Sequence, residues 1–132
     1  MNKVKKAGAL IFRDKSFLIV KPKNKPYFIN PGGKYEGSES TLDCLKRELK
    51  EELGVEILSY NHYNTYNIPE AVHSGLPLSL ELYKVEISGD IKPLSEIEET
   101  QWLSKEEFNS KKFNLAPSFN IFVPDLIKDE LL

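Results

Sequence analysis

Three carboxylates, Glu48, Glu51 and Glu52, crowd the end of the segment STLDCLKRELKEEL (residues 40–53). Its leucines, Leu42, Leu45, Leu49 and Leu53, recur at helical spacing. At roughly 100° per residue they form one apolar arc, and the three glutamates form another, a quarter to a third of a turn away. Ser38 or Ser40 is placed to cap the start, and Gly54 to stop the helix. The glutamates cost stability. Like charges at these spacings cost about 0.2–0.5 kcal/mol per pair. Glu51 and Glu52 also sit in the last turn, where the helix dipole favours cations, at about 0.3–1 kcal/mol each. A divalent cation would reverse the sign of both penalties. The alternative is a solvated helix face on which Lys46 and Lys50 dilute the repulsion.

Just upstream runs Asn30-Pro31-Gly32-Gly33-Lys34. Paired glycines let a backbone turn sharply and approach a ligand or metal closely, although most such pairs are only turns. Lys21, Lys23, Lys25 and Lys34 crowd the approach to this loop, either to meet phosphates or as solubilising surface charge. Tyr27, Phe28, Tyr63 and Tyr66 are placed to stack on a ring or to fill a core. His62 and His73 have no metal-ligand spacing.

The elements that must hold these residues follow from periodicity. Residues 4–13 and 16–20 are β-like runs, and Asp14-Lys15 suits a hairpin turn between them. Residues 21–38 read as loop, with a short strand at Tyr27–Ile29. Residues 55–66, 78–88 and 98–103 read as strands. The segment NIPEAVHSGLP, residues 67–77, is a long loop placed to wall a substrate site. Residues 117–132 read as helix, which Pro124 is expected to break or restart. Strands on both sides of one helix, with a second helix at the end, predict an α/β sandwich around a mixed sheet.

Composition sets the bounds. The chain's 132 residues suit one domain, with 40% hydrophobic and 29% charged residues. A net charge of −2 disfavours an extended nucleic acid or an anionic membrane as partner, but not a small phosphate ligand. Cys44 is the one cysteine, so no intrachain disulfide forms. The N-terminal apolar run is too short for a membrane span and is interrupted by Arg13, Asp14 and Lys15, and the expectation is a cytoplasmic protein.

Counting on from Gly33 gives five residues to Glu39, seven more to Arg47-Glu48-Leu49, then Glu51-Glu52 and Gly54-Val55. The stretch Gly33–Val55, GKYEGSESTLDCLKRELKEELGV, resembles a complete Nudix box. The hairpin before it, the Pro-Gly-Gly entering it and the strand carrying Trp102 after it are similar to that family too. One position departs: Asn30 stands where the family usually has an apolar residue, which bears on the loop or the substrate pocket.

The resemblance implies a Nudix-type α/β/α sandwich covering residues 1–132. It implies a Mg²⁺-dependent pyrophosphohydrolase, with Mn²⁺ able to substitute, cleaving a nucleoside triphosphate or another nucleoside diphosphate derivative. Glu48, Glu51 and Glu52 would bind metal, with a backbone carbonyl from the Gly33 region. Gly32, Gly33 and Lys34 would meet substrate. Glu48 or Glu52 would act as base; Glu96, Glu98 and Glu99, outside the box, are alternatives. Arg47 would hold a glutamate in place. Glu39 would brace the loop–helix junction or reach metal through water. Cys44 would pack beneath the loop. Pro69 lies near where ADP-ribose-directed relatives carry a proline. A homodimer is compatible with the resemblance. The competing reading is a catalytically silent Nudix-fold module that binds a nucleotide and regulates.

Overall fold

The computed structural model describes residues 3–69 and 75–132. Strand β1 (Val4–Leu10) continues through Ile11 into β2 (Phe12–Arg13), and β3 (Ser16–Pro22) returns antiparallel to β2. Asp14 and Lys15 take φ of 50° and 62°, the left-handed pair that a two-residue hairpin requires. The run 4–13 is thus two strands rather than one. The chain changes sheets at Ile11, whose carbonyl still accepts from the Leu18 amide.

Next come β4 (Gly32–Lys34), α1 (Thr41–Leu53), β5 (Glu56–Ile68), β6 (Leu78–Ser88), β7 (Ile97–Ser104), α2 (Lys105–Asn109) and α3 (Phe119–Lys128). A four-stranded sheet runs β4-β1-β6-β5 and a three-stranded sheet runs β2-β3-β7. β1 and β6 pair in parallel and the other pairs are antiparallel, so the sheet system is mixed, as expected.

Strand alternation sends side chains to two cores. On one side Ala7, Leu18, Val20 and Val85 pack with Cys44, Leu45, Leu49 and Leu53 of α1. On the other, Leu10, Phe17, Ile19 and Leu82 pack with Phe119, Phe122, Val123 and Leu126 of α3. Helices therefore cover both faces, which is the α/β/α sandwich. Among the described residues no helix is long and apolar enough to cross a membrane.

Several expectations need correction. Gly32–Lys34 is not loop. It is an edge strand paired with Lys6–Gly8, so the glycines are held in a ladder. At Tyr27–Ile29 only Phe28 and Ile29 form isolated bridges, to Leu115 and Val20. Leu42 lies only half-buried, and Cys44 takes the fourth core position of α1. Pro124 does not break the terminal helix. Its ring and Asn120, whose carbonyl loses a partner, are both exposed, so water can replace the missing bond. Within the expected loop 67–77, Asn67 and Ile68 extend β5, while residues 70–74, His73 among them, lie outside the described residues.

Candidate active site

Helix α1 is fixed at both ends. Ser40 caps it by accepting from the Asp43 amide at 3.1 Å. Gly54 closes it in the left-handed conformation at φ 69°, its amide donating to the Lys50 carbonyl. The free carbonyls of Glu52 and Leu53 accept from the amides of Leu94 and Lys92. With the core stripe buried beneath, the glutamates have a fixed origin and face β4.

Glu48 and Glu52 come together. Glu52 Oε1 accepts from the Gly32 amide at 3.2 Å, with Glu48 beside it. Burial, and then Glu48 beside it, push the Glu52 carboxyl well above the usual carboxylate range. Gly33 packs directly on Glu48: a Cβ there would lie 2.6 Å from the carboxylate carbon. Only glycine leaves room for the carboxylate. Glu51 stands apart, its side chain 57% exposed and 3.9 Å from Arg47. Among the described residues no three His, Cys, Asp or Glu side chains already converge on one ion-sized point.

Arg47 ties the site to its supports. Its Nε and Nη2 donate to the two oxygens of Glu39 at 2.8 and 2.9 Å, Nη2 also to the Lys34 carbonyl at 3.0 Å, and Nη1 to Glu48 Oε1 at 2.5 Å. Glu39 accepts the Glu36 amide as well. The hydrogen bonds from Arg47 hold the Glu39 carboxyl down at about 2. Arg47 and Glu39 thus join the loop, β4 and α1. Tyr35 adds a further tie, hydrogen-bonded to Thr41 at 2.8 Å and to Glu81 of β6. Cys44 lies under the carbonyls of Gly33 and Lys34. Burial pushes its thiol up to about 11, which leaves a packing residue rather than a nucleophile.

These groups border a cleft of ≈ 500 Å³ lined by Gly32, Gly33, Lys34, Glu48, Glu51, Glu52, Lys6 and Glu96 among others. Of the three acidic residues before Trp102, only Glu96 reaches this cleft. Glu98 pairs with Lys21 at 3.1 Å, and Glu99 accepts from Gln101. Lys34 is exposed at the rim. Phe28 is core, and Tyr63 and Tyr66 pack beside α3 while donating to Asp129 and Asp125. His62 is exposed against Tyr83 and Thr65.

Sequence reasoning missed Lys6. It is half-buried, and burial followed by the nearby Lys34 lowers its pKa, while Glu48 and Glu52 act in the opposite sense. A signal was present: Val4, Lys6, Gly8 and Leu10 share one strand face, and Lys6 is the charge in an otherwise apolar series.

A NUDIX domain model matches residues 2–126. Among curated proteins the chain is similar to the ADP-ribose pyrophosphatase of Methanocaldococcus jannaschii, with 28% identity over 96 residues, 70% of this chain and 57% of that one. It is also similar to the NAD-capped RNA hydrolase NudC of Pseudomonas aeruginosa, with 38% identity over 73 residues, 54% of this chain and 25% of that one. The chain thus spans a quarter to a little over half of these relatives. Among solved structures, the E. coli ORF135 protein matches at 29% identity, covering 89% of this chain and 83% of that one, with a TM-score of 0.71. The MutT protein of Methanosarcina mazei Go1 shares the fold, with a TM-score of 0.81 at 21% identity, covering 97% and 95%.

Proposed function

Given that the chain belongs to the NUDIX domain family, we propose that it is a Mg²⁺-dependent pyrophosphohydrolase that cleaves a diphosphate linkage in a small nucleoside diphosphate derivative or nucleoside triphosphate. One observation carries this reading: two adjacent, mostly buried carboxylates, Glu48 and Glu52, are held against a glycine strand at the floor of an open cleft. Such a pair is unfavourable alone, since each carboxylate raises the cost of ionising the other. A hard cation that prefers oxygen ligands suits it, and Mg²⁺ or Mn²⁺ fits the donor set. Glu48 and Glu52 would hold it, with Glu51 from the rim and a carbonyl from the Gly33 region. When bound, the ion neutralises the diphosphate and acidifies its water.

The chain's own residues do the rest. Lys34, exposed at the rim, and Lys6, on the inner wall, offer positive charge to phosphate oxygens. Glu48 or Glu52 takes the proton of the attacking water; outside the helix, Glu36 and Glu96 also line the cleft, and Glu96 is the alternative base. The new P–O bond forms from water and the bridging P–O bond breaks, giving two phosphate-terminated products. Arg47 acts through the carboxylates, fixing Glu48 and Glu39. The names of the curated relatives, an ADP-ribose pyrophosphatase and an NAD-capped RNA hydrolase, support diphosphate chemistry. A net charge of −2 favours a small substrate over extended RNA.

The test is a product screen with Mg²⁺ over nucleoside triphosphates, dinucleoside polyphosphates, ADP-ribose, NADH and nucleotide sugars. Phosphorylated fragments from at least one class are expected. No cleavage by folded protein with metal present would leave a nucleotide-binding module instead.

A further inference from the structure

Asp, Glu, Lys and Arg make up 29% of the chain, yet residues 57–68 contain none of them. All of these residues belong to β5 (Glu56–Ile68), the last strand of the four-stranded sheet. A sheet edge presents unpaired N–H and C=O groups, and proteins guard such edges by keeping them short or charging them. Among the described residues the two sheets end on four strands, β4, β5, β2 and β7. β4 has three residues, β2 has two, and β7 carries Glu98 and Glu99. β5 has 13 residues, no proline and no charge beyond Glu56, and at about 3.3 Å per residue it offers roughly 40 Å of edge. None of its residues is buried. Leu58 and Tyr60, large side chains that are 66% and 39% exposed, both lie on it.

The guard that β5 does have is a pair of bulges, where its register with β6 shifts between Ile57 and Ser59 and between His62 and Asn64. The runs Ser59–His62 and Asn64–Ile68 on either side of the second bulge stay regular. Register with β6 fixes the side of the sheet that each residue takes. Tyr60 and Thr65 lie opposite Val85 and Glu81, on the α1 side. Ser59, Asn61, Asn64 and Tyr66 lie opposite Glu86, Lys84, Leu82 and Leu80, on the α3 side. The second bulge thus shifts the alternation by one residue. A twofold axis perpendicular to the sheet, between His62 and Tyr63, would set Ser59 opposite Tyr66, Tyr60 opposite Thr65 and Asn61 opposite Asn64 of a second copy. Each opposed pair then shares one side of the sheet, as antiparallel pairing requires. Each pair is neutral, and Tyr60 with Thr65 is a favourable aromatic and β-branched contact.

We propose that the free edge of β5 is a self-association surface, on which a second copy of this chain pairs antiparallel about this axis. The absence of charge selects that partner. An acidic or basic peptide finds no counter-charge between residues 57 and 68, whereas a second copy brings no like charge to face them. The dimer would carry one continuous sheet, with β4 and the acidic clefts at its two outer ends. Self-association is therefore independent of what the clefts hydrolyse. One strand from each copy lies at the small end of interface sizes, so a dissociation constant of roughly 10 µM is expected.

Sedimentation velocity on the full chain, over a series from about 1 to 500 µM, reads the mass on both sides of that value. A shift from monomer to dimer with concentration is expected. Backbone amides of β5 are expected to exchange hydrogen more slowly in the concentrated sample, a readout that needs no variant. Two double variants test the register at Asn61 and Asn64, both exposed. Asn61→Glu with Asn64→Glu sets like charges opposite each other twice and is expected to weaken the dimer about 10-fold. Asn61→Glu with Asn64→Lys sets opposite charges there and is expected to stay within about 3-fold of the parent or to tighten. Circular dichroism confirms that both variants fold. A monomer throughout the series, a dimer whose β5 amides gain no protection, or equal weakening by the two folded variants overturns the proposal.

Discussion

Gly33→Ala separates the geometry of the acidic pair from the stability of the fold. An added Cβ would lie 2.6 Å from Glu48 Cδ and Oε2, and ordinary contact begins at 3.4 Å, so the carboxylate must retreat by about 0.8 Å. The backbone at Gly33 is not in the left-handed region, and the obstructing atoms are the end of a flexible side chain. The fold therefore loses little: alanine's lower unfolded-state entropy, about 0.4–1 kcal/mol, offsets the displaced side chain. Catalysis has no such slack. A misplacement near 1 Å costs about 10²-fold in rate, or about 2.7 kcal/mol of barrier. The expected result is a denaturation midpoint within about 1 kcal/mol of the parent protein and kcat lower by about 10²-fold. Gly32→Ala is the contrast. Its φ is 130°, and its Cβ would fall 2.1 Å from the Ala7 carbonyl oxygen, so backbone must move and the protein should be severely destabilised or insoluble. Steady-state kinetics beside urea denaturation decide the matter. A folded Gly33→Ala enzyme with undiminished kcat would refute the reasoning, as would one that unfolds as readily as Gly32→Ala.

Three further outcomes follow from the same structure. Glu52→Gln should fold and lose at least about 10²-fold in kcat. Because folding raises the Glu52 pKa above its ordinary 4.5, the stability of its neutral form is present below pH 4.5 and is lost as pH rises through the folded pKa; without metal, the parent should therefore lose melting temperature relative to Glu52→Gln as pH is raised, and a constant difference would count against the buried pair. Arg47→Lys breaks the paired bonds to Glu39, so the Glu39 carboxyl, held at about 2, should titrate closer to its ordinary 4.5 by NMR, with reduced kcat. Leu49→Ala empties a fully buried position beneath the glutamates and should cost about 2–5 kcal/mol by chemical denaturation.

Much of this was legible in the sequence because it is local. The α1 boundaries follow from Ser40, the leucine period and Gly54, and the hairpin from Asp14-Lys15. The carboxylates and the glycines that face them were legible as a spaced pattern. What escaped depends on contacts distant in the chain. Gly32–Lys34 has the composition of a loop and becomes a strand only because Lys6–Gly8 is there to pair with it. Cys44 outranks Leu42 in the core because of what lies above the helix, not because of its period. Three glutamates on one helix side do not make three converging ligands: Glu48 and Glu52 turn toward β4, while Glu51 stays exposed. Lys6 and the unmet amide of Asn30 are visible only once the sheet has assembled around them.

Calorimetric titration of Mg²⁺ in the presence of a non-hydrolysable diphosphate analogue asks whether the acidic pair exists to hold a cation. Saturable uptake by the parent protein that disappears in Glu52→Gln, with both proteins equally folded, is the expected result. Equal uptake by the two proteins, or none by either, would contradict it.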